Sequence, residues 1–169
     1  MSRGPEAPQL ARGIILAYDA IRDPRDLAEV IHLAAGFGAE VHLIGRSIDP
    51  RHWKVVRKLR SWRPALAERP LEIEVKRFAD VRSWSWEARS RGLEIAGTVL
   101  SGGGRPWTDS SERPLSPPVS VLFGEETRGL SPEAVSACGA LWTLPLAGGT
   151  FYTLGQATAL ILGGAPARV

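Results

Sequence analysis

The chain has little cysteine, little lysine and no long apolar segment. Its 169 residues include a single cysteine, Cys138, which has no second thiol for an internal disulfide. No apolar run reaches the roughly 20 residues that a membrane-spanning helix needs, and glycine and proline follow no period. Residues 1–12 are polar and lack the apolar segment of a signal peptide, so we expect a flexible N-terminal arm on a cytoplasmic protein. Disulfide-stapled, membrane-spanning and collagen-like proteins are therefore excluded.

The net charge is weakly positive and is carried mainly by arginine. The chain has 21 basic and 18 acidic residues, a net charge of +3, and only three of the basic residues are lysine. This balance is compatible with an anionic partner but does not require one. The histidines and Cys138 lack the spacing of a zinc site, so we predict no metal. The sequence also lacks the signature of a Ser-His-Asp or Cys-His enzyme.

Short apolar segments alternate with stretches of helical spacing along residues 13–169. We predict strands at residues 13–18, 41–44, 71–75, 95–100, 119–123 and 141–144. We predict helices at residues 24–38, 50–62 and 83–91, from residue 132, and at residues 153–162. The alternation predicts an α/β fold, with a mostly parallel sheet flanked by helices on both faces. No repeat or change of composition marks a second domain, so residues 13–169 are expected to form one domain.

The segment after the first predicted strand is rich in charge. Asp23 and Pro24 are typical of a helix start, with Asp23 as N-cap and Pro24 in the first turn. Capping does not explain Arg22 and Arg25, which follow the carboxyl end of that strand. Open α/β sheets bind ligands at this edge, so the two arginines are candidate functional residues.

A charged turn bounded by two glycines follows the strand at residues 119–123. Gly124 and Gly129 bracket the sequence Glu-Glu-Thr-Arg at positions 125–128. Capping of a helix near Ser131 would need only a polar residue at the helix N-terminus, so capping leaves both glutamates and Arg128 unexplained. This turn is the second candidate site.

A glycine-rich segment joins the last predicted strand to the last helix. Residues 144–157 read Leu-Pro-Leu-Ala-Gly-Gly-Thr-Phe-Tyr-Thr-Leu-Gly-Gln-Ala. Such a loop lets backbone N–H and C=O groups come close to a flat ligand such as an adenine. It is not a Walker motif, and the glycines at residues 102–104 lack the following lysine of a phosphate-binding loop.

Taken in order, these three segments resemble the signature motifs of the SPOUT RNA methyltransferases, in the SpoU/TrmH branch of 2′-O-ribose methyltransferases. The likeness is most specific at residues 123–131, which resemble the second motif, G-x-E-x-x-G-L, with Gly124, Glu126, Gly129 and Leu130 in place. Residues 19–38 are similar to the first motif in length and apolar pattern. Residues 144–146 and 153–157 are similar to the third.

The resemblance implies a C-terminal deep trefoil knot, an S-adenosylmethionine cofactor, a homodimer and a tRNA or rRNA substrate. In such proteins backbone groups of three loops hold the methyl donor. The corresponding cofactor-binding residues here would be Leu100, Ser101, Gly102, Gly124, Glu125, Leu144, Leu146, Thr153 and Leu154. The implied activity is methylation of RNA at a ribose 2′-hydroxyl, with base methylation left open.

The first and third motifs depart from the family pattern. The first motif has Asn, Gly two positions on and Arg four beyond that, where this chain has Asp26, Ala28 and His32. The third has Ser-Leu-Asn, which aligns with residues 151–153, Phe-Tyr-Thr. The family assigns phosphate binding and proton removal to the missing arginine.

The resemblance also implies catalytic roles for residues of these motifs. His32 is a candidate base, because an unperturbed imidazole titrates at about pH 6.5. A structural role for this helix-interior histidine is equally compatible with the sequence. Arg25 or Arg22 would supply the lost cation and bind substrate. Glu126 would support the donor loop, and Arg128 would face the RNA or the partner subunit.

The helix predicted at residues 50–62 bears on the substrate. Six residues between positions 51 and 63 are basic and none is acidic, and Trp53 and Trp62 are interleaved. Such a surface can follow phosphates and stack unpaired bases, so the candidate substrate-binding residues are Lys54, Arg57 and Lys58. In the alternative interpretation, the helix has a solvated basic face and turns an apolar face to the sheet, formed by Trp53, Val56, Leu59 and Trp62.

Two functions are open from the sequence. The intact second motif and the glycine-rich loops favour an RNA methyltransferase. The substituted first and third motifs favour a catalytically impaired SPOUT-fold RNA-binding protein. An unrelated nucleotide-binding α/β domain is a third interpretation. In each SPOUT case the almost uncharged last helix is expected to be covered by a second subunit.

Overall fold

The computed structural model describes residues 13–62, 75–99, 105–106, 118–144 and 152–163. The predicted N-terminal arm and four predicted cofactor-binding residues lie outside this part of the chain, namely Leu100, Ser101, Gly102 and Leu146.

Seven strands and five helices are present in the described residues. The strands are β1 (Ile14–Asp19), β2 (Glu40–Ile44), β3 (Val75–Phe78), β4 (Glu94–Val99), β5 (Arg105–Pro106), β6 (Val119–Phe123) and β7 (Ala140–Thr143). The helices are α1 (Pro24–Phe37), α2 (Trp53–Trp62), α3 (Val81–Ser90), α4 (Pro132–Ala137) and α5 (Leu154–Gly163). None of these helices is long and apolar enough to cross a membrane.

The strands form one sheet in the order β3-β2-β1-β6-β4-β7-β5. Every neighbouring pair is parallel, which confirms the predicted α/β class with a parallel sheet. β1 lies between β2 and β6, so the loops that follow β1 and β6 leave the same edge of the sheet side by side. We call this edge the carboxyl edge.

Helices cover both faces of the sheet, as predicted. Alternate residues of β1 point to opposite faces, so its apolar run feeds two cores. Ile14, Leu16 and Tyr18 pack with apolar residues of α1, α2 and α5. Ile15 and Ala17 pack on the other face with residues of α3 and α4.

A buried hydrogen bond fixes α5 to the middle of the sheet. The hydroxyl oxygens of Tyr18 and Thr158 lie 2.6 Å apart, and both side chains are fully buried. The Tyr18 ring also stacks on Phe123, with centroids 4.9 Å apart. Burial raises the pKa of the Tyr18 hydroxyl above its ordinary value, so this group stays a neutral hydrogen-bonding partner.

Local sequence signals determine where α1 begins and ends. The first turn of this helix lies next to the candidate site. Asp23 caps the helix by accepting a hydrogen bond from the backbone N–H of Arg25 at 2.7 Å, and Pro24 follows in the first turn. The helix ends at Phe37 and is capped by Gly38, which has a left-handed backbone conformation. The first turn of α1 therefore begins directly beside the carboxyl end of β1.

Candidate functional site

The loop after β1 and the loop after β6 meet at the carboxyl edge. The Arg22 guanidinium donates a 2.9 Å hydrogen bond to Glu125 and joins the two loops as an ion pair. Beside this pair lies a cavity of about 130 Å³, which we call the carboxyl-edge cavity. Its lining is formed by Ala20, Ile21, Arg22, Asp23, Glu125, Glu126, Thr127 and Leu154. The first and second candidate segments thus form one site together with the start of α5.

The turn after β6 explains the spacing of its two glycines. Glu125 and Gly129 exchange backbone hydrogen bonds of 2.8 and 3.1 Å, which close a loop over residues 126–128. Gly129 has a φ of 67°, which disfavours any residue with a β-carbon. A β-carbon on Gly124 would overlap the backbone of Gly129 and Leu130. Both glycines are therefore required by the turn itself, which presents the side chains of residues 126–128 to solvent.

Arg25 lies beside the cavity as a fixed cation. Its guanidinium donates to the Asp23 carboxylate at 2.9 Å. The hydrogen bond to Asp23 raises the pKa of Arg25, and the same contact lowers the pKa of Asp23. This group therefore suits the binding of an anion and does not suit removal of a proton.

Glu126 has the most perturbed acidity among the groups that line the cavity. Its pKa is raised to about 7, first by a hydrogen bond to the Asp26 carboxyl group, then by desolvation, and then by the charges of Asp26 and Asp23. Arg25 opposes these effects. A carboxyl group with a pKa of about 7 can take up or release a proton near neutral pH.

The predicted catalytic residues do not all lie together. Glu126 lines the cavity, Arg25 lies beside it, and the exposed Arg128 lies on the same turn, with its Nε atom 4.0 Å from Glu125. His32 is not among the residues that line the cavity. Its ring packs between helices, 5.4 Å from the ring of Trp62 on α2.

Asp26 was not among the residues predicted for the site. Its place at the position of the first motif's asparagine was visible in the sequence, but the pairing with Glu126 spans a hundred positions. A carboxyl group at the start of a helix is ordinarily explained by the helix dipole alone. The sequence gives no sign that Glu126 lies beside Asp26, because the fold brings the two residues together.

Five of the nine predicted cofactor-binding residues are described by the structure. Glu125 and Leu154 line the cavity, and Gly124 supports its turn. Leu144 directly follows β7 and packs on the core. Thr153 caps α5, because its hydroxyl accepts from the Gln156 N–H at 3.2 Å and the Gln156 side chain accepts from the Thr153 N–H at 3.0 Å.

Helix α2 carries a basic surface with exposed aromatic rings. Val55 and Leu59, four residues apart, form its buried side. Trp53 is 59% exposed and Trp62 is 40% exposed, so the interpretation that turns both rings to the sheet is wrong. The two rings instead flank the predicted substrate-binding cations Lys54, Arg57 and Lys58. We call this surface, with Trp53, Trp62 and those three cations, the α2 basic surface.

Metal and thiol chemistry have no support in the described part of the chain. No group of three His, Cys, Asp or Glu residues there is placed to hold a metal ion. The Cys138 thiol donates to the carbonyl oxygen of Ala134 at 3.2 Å, and burial raises its pKa to about 11. A thiol with such a pKa is a poor nucleophile at neutral pH.

A parallel sheet has helices on both faces and a charged cavity at its carboxyl edge, the edge at which open α/β sheets generally bind ligands. The chain belongs to the SpoU rRNA Methylase family, whose model matches residues 13–162. The matched residues include the three segments that resemble the family motifs. The match therefore excludes the interpretation as an unrelated nucleotide-binding domain.

Several known proteins are similar to this chain. A Mycobacterium sp. (strain KMS) protein named as an uncharacterized tRNA/rRNA methyltransferase is 29% identical over 143 residues, which is 83% of this chain and 41% of the relative. The AdoMet-bound rRNA methyltransferase from Sinorhizobium meliloti is 28% identical with a TM-score of 0.73, over 90% of this chain and 55% of that one. A protein studied for 2-OH methylation of C/U34 on tRNA shares the fold, with a TM-score of 0.73 at 21% identity, over 90% of this chain and 93% of that one. The chain thus spans about two fifths of the curated relative.

Proposed function

We propose that this chain is an S-adenosylmethionine-dependent RNA methyltransferase that acts at a ribose 2′-hydroxyl of tRNA or rRNA. The observation that carries the proposal is the carboxyl-edge cavity, where the segments that match the first and second motifs meet through Arg22 and Glu125. The S. meliloti relative, described as AdoMet-bound, supports the choice of methyl donor. The trefoil knot, the single domain at residues 13–169 and the cytoplasmic location stay predictions that rest on the sequence and the family resemblance.

The described residues fit one edge of a donor site. Leu154 gives the cavity an apolar wall, and Leu144 lies at the end of the neighbouring strand β7. Adenine-type rings bind against such apolar walls with a few backbone contacts. When bound, the donor supplies a methyl group activated by an adjacent sulfonium.

The cations at the carboxyl edge would bind the RNA substrate. Arg22 and Arg25 are exposed at the start of α1, where the positive end of the helix dipole adds to their charge. The phosphate next to the methylated ribose would lie against these two groups. Arg128 would supply a third cation facing the RNA or a partner subunit.

Two groups are candidates for taking the hydroxyl proton. Glu126 lies at the cavity and has a pKa of about 7, close to the value that suits a general base at neutral pH. The His32 ring packs against Trp62 on the α2 side of α1, away from the residues that line the cavity. The geometry favours Glu126, with Asp26 as a positioning residue that raises its basicity.

Methyl transfer to bulk tRNA and rRNA, with labelled S-adenosylmethionine, tests the proposal. We expect Glu126→Gln to lower turnover roughly 10²- to 10⁴-fold, the usual range for a general base, and His32→Ala to have a mild effect. Glu87→Gln on α3 is the matched control, since it removes a carboxylate on the other side of the sheet. The opposite pattern would make His32 the base.

A catalytically impaired RNA-binding protein is the second candidate function. The substitutions Asp26, Ala28 and His32 in the first motif favour it. Calorimetry separates the two, because an enzyme needs a working donor site. Absence of S-adenosylmethionine binding together with retained RNA binding would establish this second function.

RNA contact through α2 and dimerisation through α5 complete the proposal. Replacing Lys54, Arg57 and Lys58 by Gln should weaken RNA binding and flatten its salt dependence, because fewer counterions are released.

The outer side of α5 carries no charge, and Leu160 on it is 43% exposed. We expect Leu160→Glu to convert a dimer into a monomer in sedimentation experiments. A parent chain that is monomeric at micromolar concentration would contradict the dimer.

A further inference from the structure

Trp53 occupies a position that packing of the protein does not explain. Val55 and Leu59 supply the buried contacts of α2, while the Trp53 side chain is 59% exposed at the start of the helix. An indole ring in water is unfavourable by its apolar area. Its exposed position leaves the ring accessible to a ligand.

Neighbouring side chains hold the Trp53 ring in a positive environment. The Arg57 guanidinium lies over the ring, 4.9 Å from its centroid, and the Lys54 amino group also lies over it, at 5.5 Å. The His52 ring is stacked near it, with centroids 6.0 Å apart and planes at 27°. These contacts orient the indole before any ligand binds and place two cations within reach of a phosphate beside it.

The charge of α2 selects an anionic partner. Within Trp53–Trp62 four residues are basic and none is acidic. A ligand that is both anionic and flat matches a cation-flanked aromatic ring, and a nucleotide of RNA has both properties. In a duplex each base is covered by its neighbours in the stack, so only an unpaired base can lie on the indole.

We propose that Trp53, with Lys54 and Arg57, forms a stacking subsite for one unpaired base of the RNA, so that the protein prefers single-stranded to double-stranded segments. This proposal rests on the proposed RNA substrate and adds the structural class of RNA that α2 accepts. Lys54 and Arg57 bind the phosphates on either side of the stacked nucleotide.

Fluorescence anisotropy with the full chain tests the subsite. The probes are a 12-nucleotide single strand and the corresponding 12-base-pair duplex at one salt concentration. We expect the parent to bind the single strand more tightly, and Trp53→Ala to weaken that binding by roughly 5- to 150-fold, as loss of one base–aromatic stack does. Duplex affinity and the salt dependence should stay unchanged, and Trp53→Phe should restore part of the loss.

Trp86 provides a matched control on the opposite side of the sheet. It is 71% exposed on α3, so Trp86→Ala also removes an exposed indole and should leave both affinities unchanged. Unchanged single-strand affinity in Trp53→Ala, as expected if the ring serves a protein partner, would overturn the subsite. An equal loss for both probes would overturn it as well.

Donor binding and methyl transfer distinguish failure of the subsite from failure of the proposed function. If Trp53→Ala weakens binding of the single strand alone, the subsite is supported. If the parent also binds no S-adenosylmethionine, only the proposed methyltransferase function is overturned. Methyl transfer that persists while Trp53→Ala binds both probes like the parent would overturn the subsite alone.

Discussion

The substitution Asp26→Asn should lower the pKa of Glu126. It replaces the carboxyl partner of Glu126 by an amide of nearly the same shape, the residue that the family's first motif has at this position. The variant therefore removes the carboxyl group whose hydrogen bond and charge raise the pKa of Glu126, while the capping of α1 by Asp23 is kept. No other feature of the cavity needs to change.

The size of the effect follows from the causes of the shift. The pKa of Glu126 is about 7 instead of 4.5, and Asp26 contributes both the largest cause, a hydrogen bond, and the charge that ranks third. Desolvation and the Asp23 charge remain in the variant, so we expect a fall of roughly one to two units that does not reach 4.5. Because the pKa of the Glu126 carboxyl group is raised in the folded state, the native protein binds more protons than the unfolded protein between pH 4.5 and 7. Stability in the parent should therefore decline as pH rises through that window, and less so in Asp26→Asn.

A carbon-detected NMR titration of glutamate side chains measures this pKa directly. Glu126→Gln identifies the resonance, since its signal disappears in that variant. Asp80→Asn, which keeps a good N-cap on α3 away from the site, should leave the titration unchanged. A parent Glu126 that titrates near its ordinary value, or one that Asp26→Asn leaves at about 7, would refute the paired-carboxyl reasoning.

Three further predictions concern the framework of the site. Thr158→Val should cost about 1–3 kcal/mol in the free energy of unfolding by urea, because it leaves the buried Tyr18 hydroxyl unpaired, and adding Tyr18→Phe should recover much of the loss. A double variant as unstable as the sum of its parts would contradict this. Gly124→Ala should lower the urea midpoint because its β-carbon overlaps the backbone of Gly129, and an unchanged midpoint would mean that the turn can adjust. Ser131→Ala should cost about 1 kcal/mol by the same measurement, since Ser131 caps α4, and no loss would show that the cap is dispensable.

Local sequence signals were enough for most of the fold. The apolar run at residues 119–123 has the same bounds as β6, and α1 begins at the predicted proline. A strand buried on both faces and a helix with an N-cap, a proline and a closing glycine each carry their signal within a few residues. Such elements need no tertiary information.

The differences arise where tertiary contacts decide. The third strand was predicted at residues 71–75, of which only Val75 lies in the described part of the chain, and β3 there runs over Val75–Phe78 and contains Lys76 and Arg77. It pairs only with β2 in the described sheet, and such an edge strand tolerates charge and gives a weak apolar pattern. The two-residue strand β5 is too short to have a pattern. On α2, Leu59 of the predicted apolar face is buried together with Val55, whereas Trp53 and Trp62 are exposed.

The candidate site was predicted in part. The glycines of the second motif and the arginines at the start of α1 were visible because their residue types are unusual for plain capping. The meeting of Arg22 with Glu125, and of Asp26 with Glu126, depends on β1 and β6 being neighbours in the sheet. Their long separation along the chain hides that adjacency from any local pattern.

The position of β1 also has a consequence for the synthesis of the protein. Ile14 at the start of β1 pairs with Val119 at the start of β6, so the ribosome finishes β1 long before it makes one of that strand's two neighbours. Until then one side of β1 presents unpaired backbone N–H and C=O groups and an uncovered apolar surface, which invites mispairing with other chains. We expect stable folding to begin only when β6 has emerged, and chains that stop before Val119 to aggregate or be degraded.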